Sequence, residues 1–294
     1  MTWVFFTFLA AFSQAWRNAF QSQLSGTLSV CGVTLARFLW AGPLAIIYVI
    51  SLEQTGLGVI REFPFAFWQF CVLAGVMQIV ATGLMVVLFK QKNFAIGAGL
   101  AKCEAPVSAV LGILFFGTTL SLYGWVGVVI GGIAVMMFSL SGGIRTISWK
   151  TAGIGLASST AFALTSLWVR EASLVLEGHF LLRASWVLLV VILFQTVILV
   201  GYMWLRERAV LALMFRRPKL VVFTSVASFL GSFGWFHAMA LMAVPLVKTL
   251  GQVEIFFMML VSVVYLKTPI PKKDMLALML VAIAAILVMW PQAS

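Results

Sequence analysis

Residues 105 to 144 constrain this chain more than any other stretch, because forty consecutive positions carry no charged side chain. A helix crosses the bilayer core with roughly 20 apolar residues, since backbone polar groups in lipid must pair within the segment. The stretch is therefore too long for one span. Gly117, Thr118 and Thr119 lie near its middle and supply turn chemistry. The pattern predicts two membrane helices joined by a tight hairpin.

The rest of the chain also consists of apolar stretches with short polar connections. Hydrophobic residues make up 63% of the 294 positions and charged residues 9%, which excludes an ordinary soluble domain. Met1 to Ala15 has no basic leader and is expected to stay as the first helix. We predict an all-α integral membrane protein with ten transmembrane helices, at residues 2 to 20, 29 to 52, 65 to 89, 94 to 116, 120 to 140, 151 to 171, 181 to 204, 220 to 241, 244 to 266 and 273 to 290.

The net charge of +11 comes from Lys and Arg residues that lie between the apolar stretches. They form no basic groove or arm, so nucleic acid is not an expected partner. Thirteen of them, Arg17 included, fall after odd-numbered predicted helices, whereas Arg61 and Arg170 are the two that fall after even-numbered ones. Because Lys and Arg accumulate in cytoplasmic loops, both termini are predicted to face away from the cytoplasm, with a bacterial inner membrane as the expected location.

The cysteines and histidines give no catalytic or metal-binding pattern. Cys31, Cys71 and Cys103 lie inside apolar segments without metal or redox spacing, and His179 and His237 are far apart in sequence. There is no Gly-rich phosphate loop of the Walker type. We expect neither an enzyme nor a bound metal or cofactor.

The two halves of the chain carry traces of a duplication. Glu104 and Glu254 are 150 residues apart, and Thr118 and Thr268 share that offset. Five helices per half is an odd number, so a duplication would produce an inverted repeat of the kind found in transporters. Residues 1–143 and 144–294 are the predicted halves of one membrane domain. The alternative is chance, because apolar sequences align readily with one another.

Four ionisable residues fall inside predicted helices, where a charge costs at least ~2.5 to 3.5 kcal/mol. Lys102 and Glu104 lie in the fourth helix, and Lys248 and Glu254 in the ninth. One hypothesis is a midplane site, in which the lysines bind an anionic group of a substrate and a glutamate takes up a proton because burial disfavours its charged form. The other is a salt-bridge lock that only joins helices. The four charges could neutralise one another across the interface between the halves, for instance Lys102 with Glu254 and Lys248 with Glu104.

Further candidates are polar, aromatic or helix-breaking residues within the apolar segments. They are Gln252, Gln78, Trp16 and Trp168 for substrate contact, His237 for proton coupling, and Pro106 and Gly251 as hinges. Each has a structural alternative: packing or the interfacial belt for the tryptophans, a fixed kink for Pro106, and a hydrogen-bonded core position for His237.

The segment Lys102-Cys103-Glu104-Ala105-Pro106, followed by an apolar run to Phe116-Gly117, resembles the fourth helix of the drug/metabolite transporter superfamily. The chain as a whole resembles the ten-helix EamA-like group. In the triose-phosphate and nucleotide-sugar branch, lysines at positions similar to Lys102 and Lys248 bind the substrate's phosphate. EamA-like members commonly have a Leu-Gly-Glu turn after the fourth and ninth helices, and this chain departs from that pattern at Gly117-Thr118-Thr119 and Leu266-Lys267-Thr268-Pro269.

The resemblance implies alternating access between two five-helix halves, with a substrate at their interface. We expect a secondary active transporter that exports or exchanges a small organic anion or zwitterion, such as an amino acid or a phosphorylated metabolite. Its partners would be that substrate, the lipid bilayer and, as a candidate coupling ion, the proton. It would act as a monomer or a homodimer. The alternatives are a multidrug exporter of the same superfamily and a membrane scaffold or sensor subunit that transports nothing.

Overall fold

The computed structural model describes residues 1–90, 103–140, 149–216, 218–264 and 275–290, and every regular element in these ranges is a helix. Lys102 lies outside the described residues. The elements are α1 (Thr2–Ser25), α2 (Val30–Phe38), α3 (Ala41–Glu53), α4 (Phe65–Lys90), α5 (Glu104–Phe116), α6 (Leu122–Leu140), α7 (Trp149–Leu174), α8 (Phe180–Arg206), α9 (Arg208–Arg216), α10 (Pro218–Leu241), α11 (Val244–Leu250), a 3-10 turn (Gly251–Val253), α12 (Glu254–Val264) and α13 (Met275–Met289).

Six spans in the described ranges are long and apolar enough to cross a membrane: Val30–Glu53, Phe65–Lys90, Trp149–Leu174, Phe180–Arg206, Pro218–Leu241 and Val244–Val261. Shorter apolar helices lie at Glu104–Phe116, Leu122–Met137 and Met275–Met289. The prediction of an all-helical, multi-pass membrane protein is therefore confirmed. On this measure the described chain has six spans, where the sequence predicted ten.

The outer surface of the helices is apolar, as lipid contact requires. Phe5 is 66% exposed, Phe115 71% and Val197 70%, on three separate helices. A soluble monomer rarely exposes a continuous apolar surface, because water penalises it. These side chains are suited to face hydrocarbon.

Small residues allow the inner helices to approach closely. A Cβ atom added to Gly234 of α10 would lie 2.8 Å from the Ala10 backbone nitrogen of α1, so glycine is required at this crossing. On the other side of the molecule, Ser158 of α7 donates a hydrogen bond of 2.9 Å to the Ala81 carbonyl of α4. Close backbone approach and hydrogen bonds between helices are what hold membrane helices together.

The second predicted helix, 29 to 52, is broken at Leu39 and Trp40 into α2 and α3. A side chain from α10 enters the break: the Ser225 hydroxyl donates to the Ala36 carbonyl at 2.7 Å and accepts from the Trp40 amide at 3.2 Å. An inserted polar group of this kind satisfies the backbone groups that a helix break leaves open. Val30–Glu53 is still one membrane span, as predicted. The sequence did not predict the break within it, because the inserting residue comes from a distant part of the chain.

The ninth predicted helix, 244 to 266, is interrupted by the 3-10 turn at Gly251–Val253. The indole of Trp235 packs directly against Gly251, at a distance that would not admit a side chain. The predicted hinge residue Gly251 thus lies where the helix changes its geometry, which is a common location for functional hinges.

Two arginines assigned to connections in the sequence lie inside helices. Arg17 belongs to α1, which continues to Ser25, and only 2% of its surface is exposed. Removing it leaves twelve cations after odd-numbered helices. Arg170 belongs to α7 and donates to the Met239 and Met242 carbonyls at 2.6 and 2.7 Å, so it caps the end of α10.

Candidate functional site

A polar cavity opens between α1, α2, α4, α5, α7, α10 and the α11 to α12 segment, with about 960 Å³ of space including its open side. Five of the residues that line it carry charge: Arg17, Arg37, Glu104, Lys248 and Glu254. Ionisable side chains inside a membrane protein usually face a water-filled space or one another, because hydrocarbon does not solvate them. This cavity is therefore the candidate site.

Glu104 and Lys248 form an ion pair at its wall. Lys248 Nζ lies 2.9 Å from Glu104 Oε1, and the two side chains keep 10% and 16% exposure. Ser166 of α7 donates a further hydrogen bond of 2.7 Å to the same carboxylate oxygen. The pair that the sequence predicted between the two halves is thus present, and both of its residues line the cavity.

Trp235 connects the lysine to the first helix. Lys248 Nζ lies 4.1 Å from the centroid of the indole, a geometry in which the ring face attracts the cation. The indole Nε1 donates to the Gln14 side-chain carbonyl at 2.8 Å. The ammonium is therefore held from two sides, by Glu104 and by the ring.

Glu254 is held by amides of α1. Gln14 Nε2 donates to Glu254 Oε2 at 2.5 Å, and Asn18 Nδ2 donates to Oε1 at 2.8 Å. Asn18 also accepts a hydrogen bond of 3.0 Å from Arg17 Nη2. The carboxylate of the second half is thus linked through Asn18 to an arginine of the first helix.

Both glutamates stand at the start of a helix. Glu104 begins α5, directly after Cys103, and Glu254 begins α12, directly after the 3-10 turn. The exposed N–H groups of a helix N-terminus carry partial positive charge and stabilise a nearby anion. The start of α5 therefore helps to explain how Glu104 is accommodated within the membrane domain. The Glu254 N–H is bonded to the Gln252 and Gly251 carbonyls, and its carboxylate is stabilised by the α1 amides.

Arg37 and Gln78 line another part of the cavity. Arg37 is 2% exposed and donates through Nη1 to the Thr82 hydroxyl at 2.8 Å. This burial excludes a side chain that extends to the membrane surface. Gln78 accepts a hydrogen bond of 2.7 Å from Gln195.

Several buried donors and acceptors of the lining have no hydrogen-bond partner among the described residues. They are Nε and Nη1 of Arg17, Nε of Arg37, and both side-chain polar atoms of Gln252. Buried polar groups are almost always paired with protein, water or ligand. Other unpaired atoms lie away from the cavity, Ser173 Oγ and Trp186 Nε1 among them, but these five belong to residues that line one open space, where a polar guest has access.

The predicted site residues divide into two groups. Glu104, Lys248, Gly251, Gln252, Glu254 and Gln78 all line the cavity, so the structure brings them together. Trp16, Trp168 and His237 are not part of its lining: Trp16 packs near Phe20 with ring centroids 5.8 Å apart, and Trp168 packs against the apolar core. Lys102 lies outside the described residues, and so does its expected contact with Glu254.

Pro106 was predicted to interrupt the fourth helix. The described helix begins at Glu104, so Pro106 lies in its first turn, where a missing N–H leaves no hydrogen bond unmade. Within α5 the proline therefore does not kink the helix as predicted, and residues 91–102 lie outside the described range.

Arg17 and Asn18 were not predicted as lining residues, although the sequence carries a signal for them. Positions 14, 17, 18 and 21 are Gln, Arg, Asn and Gln, which is the spacing of one helix face. A polar face on an otherwise apolar helix predicts contact with a polar cavity. The stripe was hidden because Arg17 was assigned to the connection that follows the helix.

Throughout the part of the chain that the structure describes, no three His, Cys, Asp or Glu side chains come close enough to hold a metal ion. The charged groups of the cavity are instead arranged as an ion pair, a carboxylate held by amides, and two arginines. Such a set binds organic ions through hydrogen bonds and charge.

No family model and no curated protein match this sequence. Among solved structures 27 chains match, and one of them, a crystal structure of a protein, has a TM-score of 0.74 at 15% sequence identity. The alignment covers 98% of this chain and 96% of the other. A likeness at this level of identity concerns the fold, because one fold carries many functions. The chain therefore has the same overall fold as that protein over nearly its whole length.

Proposed function

We propose that this protein is a secondary active transporter that exports or exchanges a small organic anion or zwitterion. The observation that carries the proposal is the Lys248 to Glu104 ion pair, 2.9 Å long, at the wall of an open polar cavity inside an all-helical membrane protein. A purely structural lock needs no open space beside it. A substrate site needs that space, together with charged groups that can change partners.

The charge of the lining favours an anionic group on the substrate. Its described residues include three cations, Arg17, Arg37 and Lys248, and two carboxylates, Glu104 and Glu254. Burying a net positive charge is costly unless an anion enters with it. A cationic drug would meet an excess of like charge, so the multidrug-exporter alternative is less favoured.

We further propose ten transmembrane helices in two inverted repeats, 1–143 and 144–294. The pattern of helix pairing supports this arrangement. α1 packs along α10, and α4 along α7, which would be equivalent pairs of a first helix in one half with a third helix in the other. α5 packs on α11 and α6 on α13, as the fourth and fifth helices of the two halves would. Glu104 and Glu254, each at a helix start, match in the same way.

Membership of the drug/metabolite transporter superfamily, in the EamA-like group, remains part of this proposal. Its support is the Lys102 to Pro106 motif and the pairing of helices between the halves. The twelve cations in odd-numbered connections support a topology with both termini outside the cytoplasm. A reporter fused after Ser294 that is active only in the cytoplasm is expected to give no signal, and a signal would contradict the topology.

The proton is the coupling ion that we propose, bound at Glu104 or Glu254. A substrate anion in the cavity would offset the positive charge of its arginines and lysine, and a carboxylate with less net positive charge around it binds a proton more readily. Uptake of substrate would then change the pH inside a liposome. A lumenal pH dye is expected to respond in the wild type and to give no response in a Glu104→Gln, Glu254→Gln double variant.

The decisive experiment is flux into proteoliposomes. Purified protein is reconstituted and tested with labelled amino acids and phosphorylated metabolites, and each is also tested for exchange against the same compound trapped inside. The proposal predicts saturable flux of at least one anionic or zwitterionic compound. The matched control is the Arg61→Gln variant, which changes an exposed connection. Flux of no compound across the panel, from protein with a native melting profile, would favour the scaffold or sensor alternative.

A further inference from the structure

We propose that Arg17 is the residue that binds the anionic group of the substrate, and that this group is an oxyanion, a carboxylate or a phosphate. The inference rests on the proposed transport function and assigns the substrate contact within the same cavity. It moves the anion-binding role from Lys248, where the sequence suggested it, to a guanidinium of the first helix.

Arg17 has spare hydrogen-bonding capacity in a buried position. It is 2% exposed, it lines the cavity, and its Nε and Nη1 have no hydrogen-bond partner among the described residues. A guanidinium carries five N–H donors and no acceptor, so a partner must be an acceptor. The acceptor that best matches a planar cation is an oxyanion, which offers several oxygens at once.

Lys248 is already engaged. Its ammonium lies 2.9 Å from Glu104 Oε1 and 4.1 Å from the centroid of Trp235. A substrate anion at Lys248 would have to compete with a carboxylate held in place by Ser166. An anion that binds Nε or Nη1 of Arg17 does not have to displace a carboxylate, because neither atom has a hydrogen-bond partner among the described residues.

The Nη2 atom of Arg17 is oriented by the protein. It donates to Asn18 Oδ1 at 3.0 Å, and Asn18 in turn donates to Glu254. One edge of the guanidinium is therefore fixed, which holds the other donors in place before a ligand arrives. Preorganisation of this kind increases affinity, because less side-chain freedom is lost on binding.

Other lining groups match the same guest. Arg37 has an unpartnered Nε, and it faces Arg17 as a like charge, which an intervening anion would relieve. Gln252, 4% exposed on the 3-10 turn, has no partner for its amide nitrogen or oxygen. The nitrogen suits a further oxyanion contact, and the oxygen suits an N–H or O–H elsewhere on the substrate.

The test uses pairs of compounds that differ in one group. Full-length protein in detergent is titrated by calorimetry with short carboxylic acids and their primary amides, and with glycerol 3-phosphate and glycerol. The wild type is expected to bind one oxyanion compound and to bind its neutral partner at least about tenfold more weakly, as the loss of a charge-assisted hydrogen bond implies. The carboxylate and phosphate arms identify which oxyanion is the natural one.

The variants assign that preference to Arg17. Arg17→Gln is expected to weaken oxyanion binding about 10- to 100-fold and to leave the neutral partner unchanged, which abolishes the discrimination. Arg17→Lys keeps the charge but loses the planar fork, and it is expected to restore only part of the affinity. Arg61→Gln is the control and should match the wild type. Unchanged discrimination in a folded Arg17→Gln or Arg17→Lys protein would overturn the inference.

A measurement on the wild-type protein covers the case in which the variants do not fold. Hydrogen–deuterium exchange needs no accessible side chain, and mass spectrometry of the digested protein gives the exchange rate of the peptide that contains Arg17. The bound oxyanion compound is expected to slow that rate severalfold, and its neutral partner is not. A rate that no compound changes would refute the assignment to Arg17. If wild-type protein bound and transported nothing on the panel, the proposed function itself would fail.

Discussion

Two buried regions of this molecule contain ionisable side chains, and they differ in how completely the polar groups are hydrogen-bonded. Around His237 the hydrogen bonds are complete: one ring nitrogen lies 2.9 Å from the Tyr48 hydroxyl and the other 2.7 Å from the Phe233 carbonyl. Around the cavity they are not, since Arg17 and Gln252 keep unpartnered atoms. The first region also has aromatic rings packed against the imidazole, whereas the second opens onto space.

This difference distinguishes buried polar groups that stabilise a membrane protein from buried polar groups that can bind a ligand. A buried polar group whose bonds are all made stabilises the fold and has nothing left to offer a ligand. A buried group with spare donors beside an open space is costly unless something binds there. By this criterion His237, a candidate for proton coupling in the sequence, has the surroundings of a core residue, whereas Arg17, which was counted with the first connection, has those expected for the binding role that we propose.

The largest effect is expected from Lys248→Gln. Removing one partner of a buried pair leaves the other charge uncompensated, so transport should fall by at least about 100-fold. Initial flux per folded protein in liposomes measures it. The Lys248→Gln, Glu104→Gln double variant is the matched control, because it removes both charges and should regain thermal stability without regaining transport. Transport within fivefold of wild type in the single variant would contradict a role for this pair.

Gly251→Ala is expected to lower transport about tenfold, because a methyl group there overlaps the Trp235 indole. The displaced ring would no longer support Lys248. The matched control is Gly153→Ala on α7, where an added Cβ meets nothing within 4 Å. Equal flux in both variants would show that the approach of Trp235 to Gly251 has no part in transport.

Tyr48→Phe tests the closed region. The variant removes the hydroxyl that bonds to His237 and keeps the ring, so the free energy of unfolding should fall by about 1 kcal/mol. Transport per folded protein should stay within twofold of wild type, and its pH profile should not move. Thermal unfolding in detergent and flux at several pH values measure the two outcomes. A displaced pH profile would return His237 to the list of coupling residues.

The smallest effect is expected from Trp16→Phe and Trp168→Phe, since neither side chain lines the cavity. Flux and substrate affinity should remain within twofold of wild type in both. Trp235→Phe, which removes the hydrogen bond to Gln14, is the positive control and should lower transport severalfold. A loss of affinity in the Trp16 variant that matches the Trp235 variant would revive the idea of an aromatic substrate stacked on Trp16.

The sequence predicted the helical, multi-pass class because apolar stretch length follows directly from the thickness of a bilayer. It placed Glu104, Lys248 and Glu254 together because a buried charge needs a partner or water. Both inferences use the length and composition of single segments and the free-energy cost of burying a charge in hydrocarbon. They do not require knowledge of which helix touches which.

Features that depend on contacts between distant parts of the chain could not be predicted from the sequence. The break at Leu39 and Trp40 depends on Ser225, more than 180 positions away in the chain. The burial of Arg17 depends on the α1 to α10 crossing and on Asn18 and Glu254 beside it. Hydropathy alone ends the first helix near that arginine, because it scores a charge as a boundary without regard to what it faces.

The indole of Trp235 is placed where its fluorescence can report ligand binding. The Lys248 ammonium lies over the ring face, and the ring nitrogen donates to Gln14. The indole is therefore exposed to the electric field of charged and polar groups that line the cavity. The emission wavelength of an indole shifts when a nearby charge moves. In a chain in which Trp235 is retained and the other ten tryptophans are replaced by phenylalanine, the emission wavelength would report whether a ligand occupies the cavity, without any attached dye.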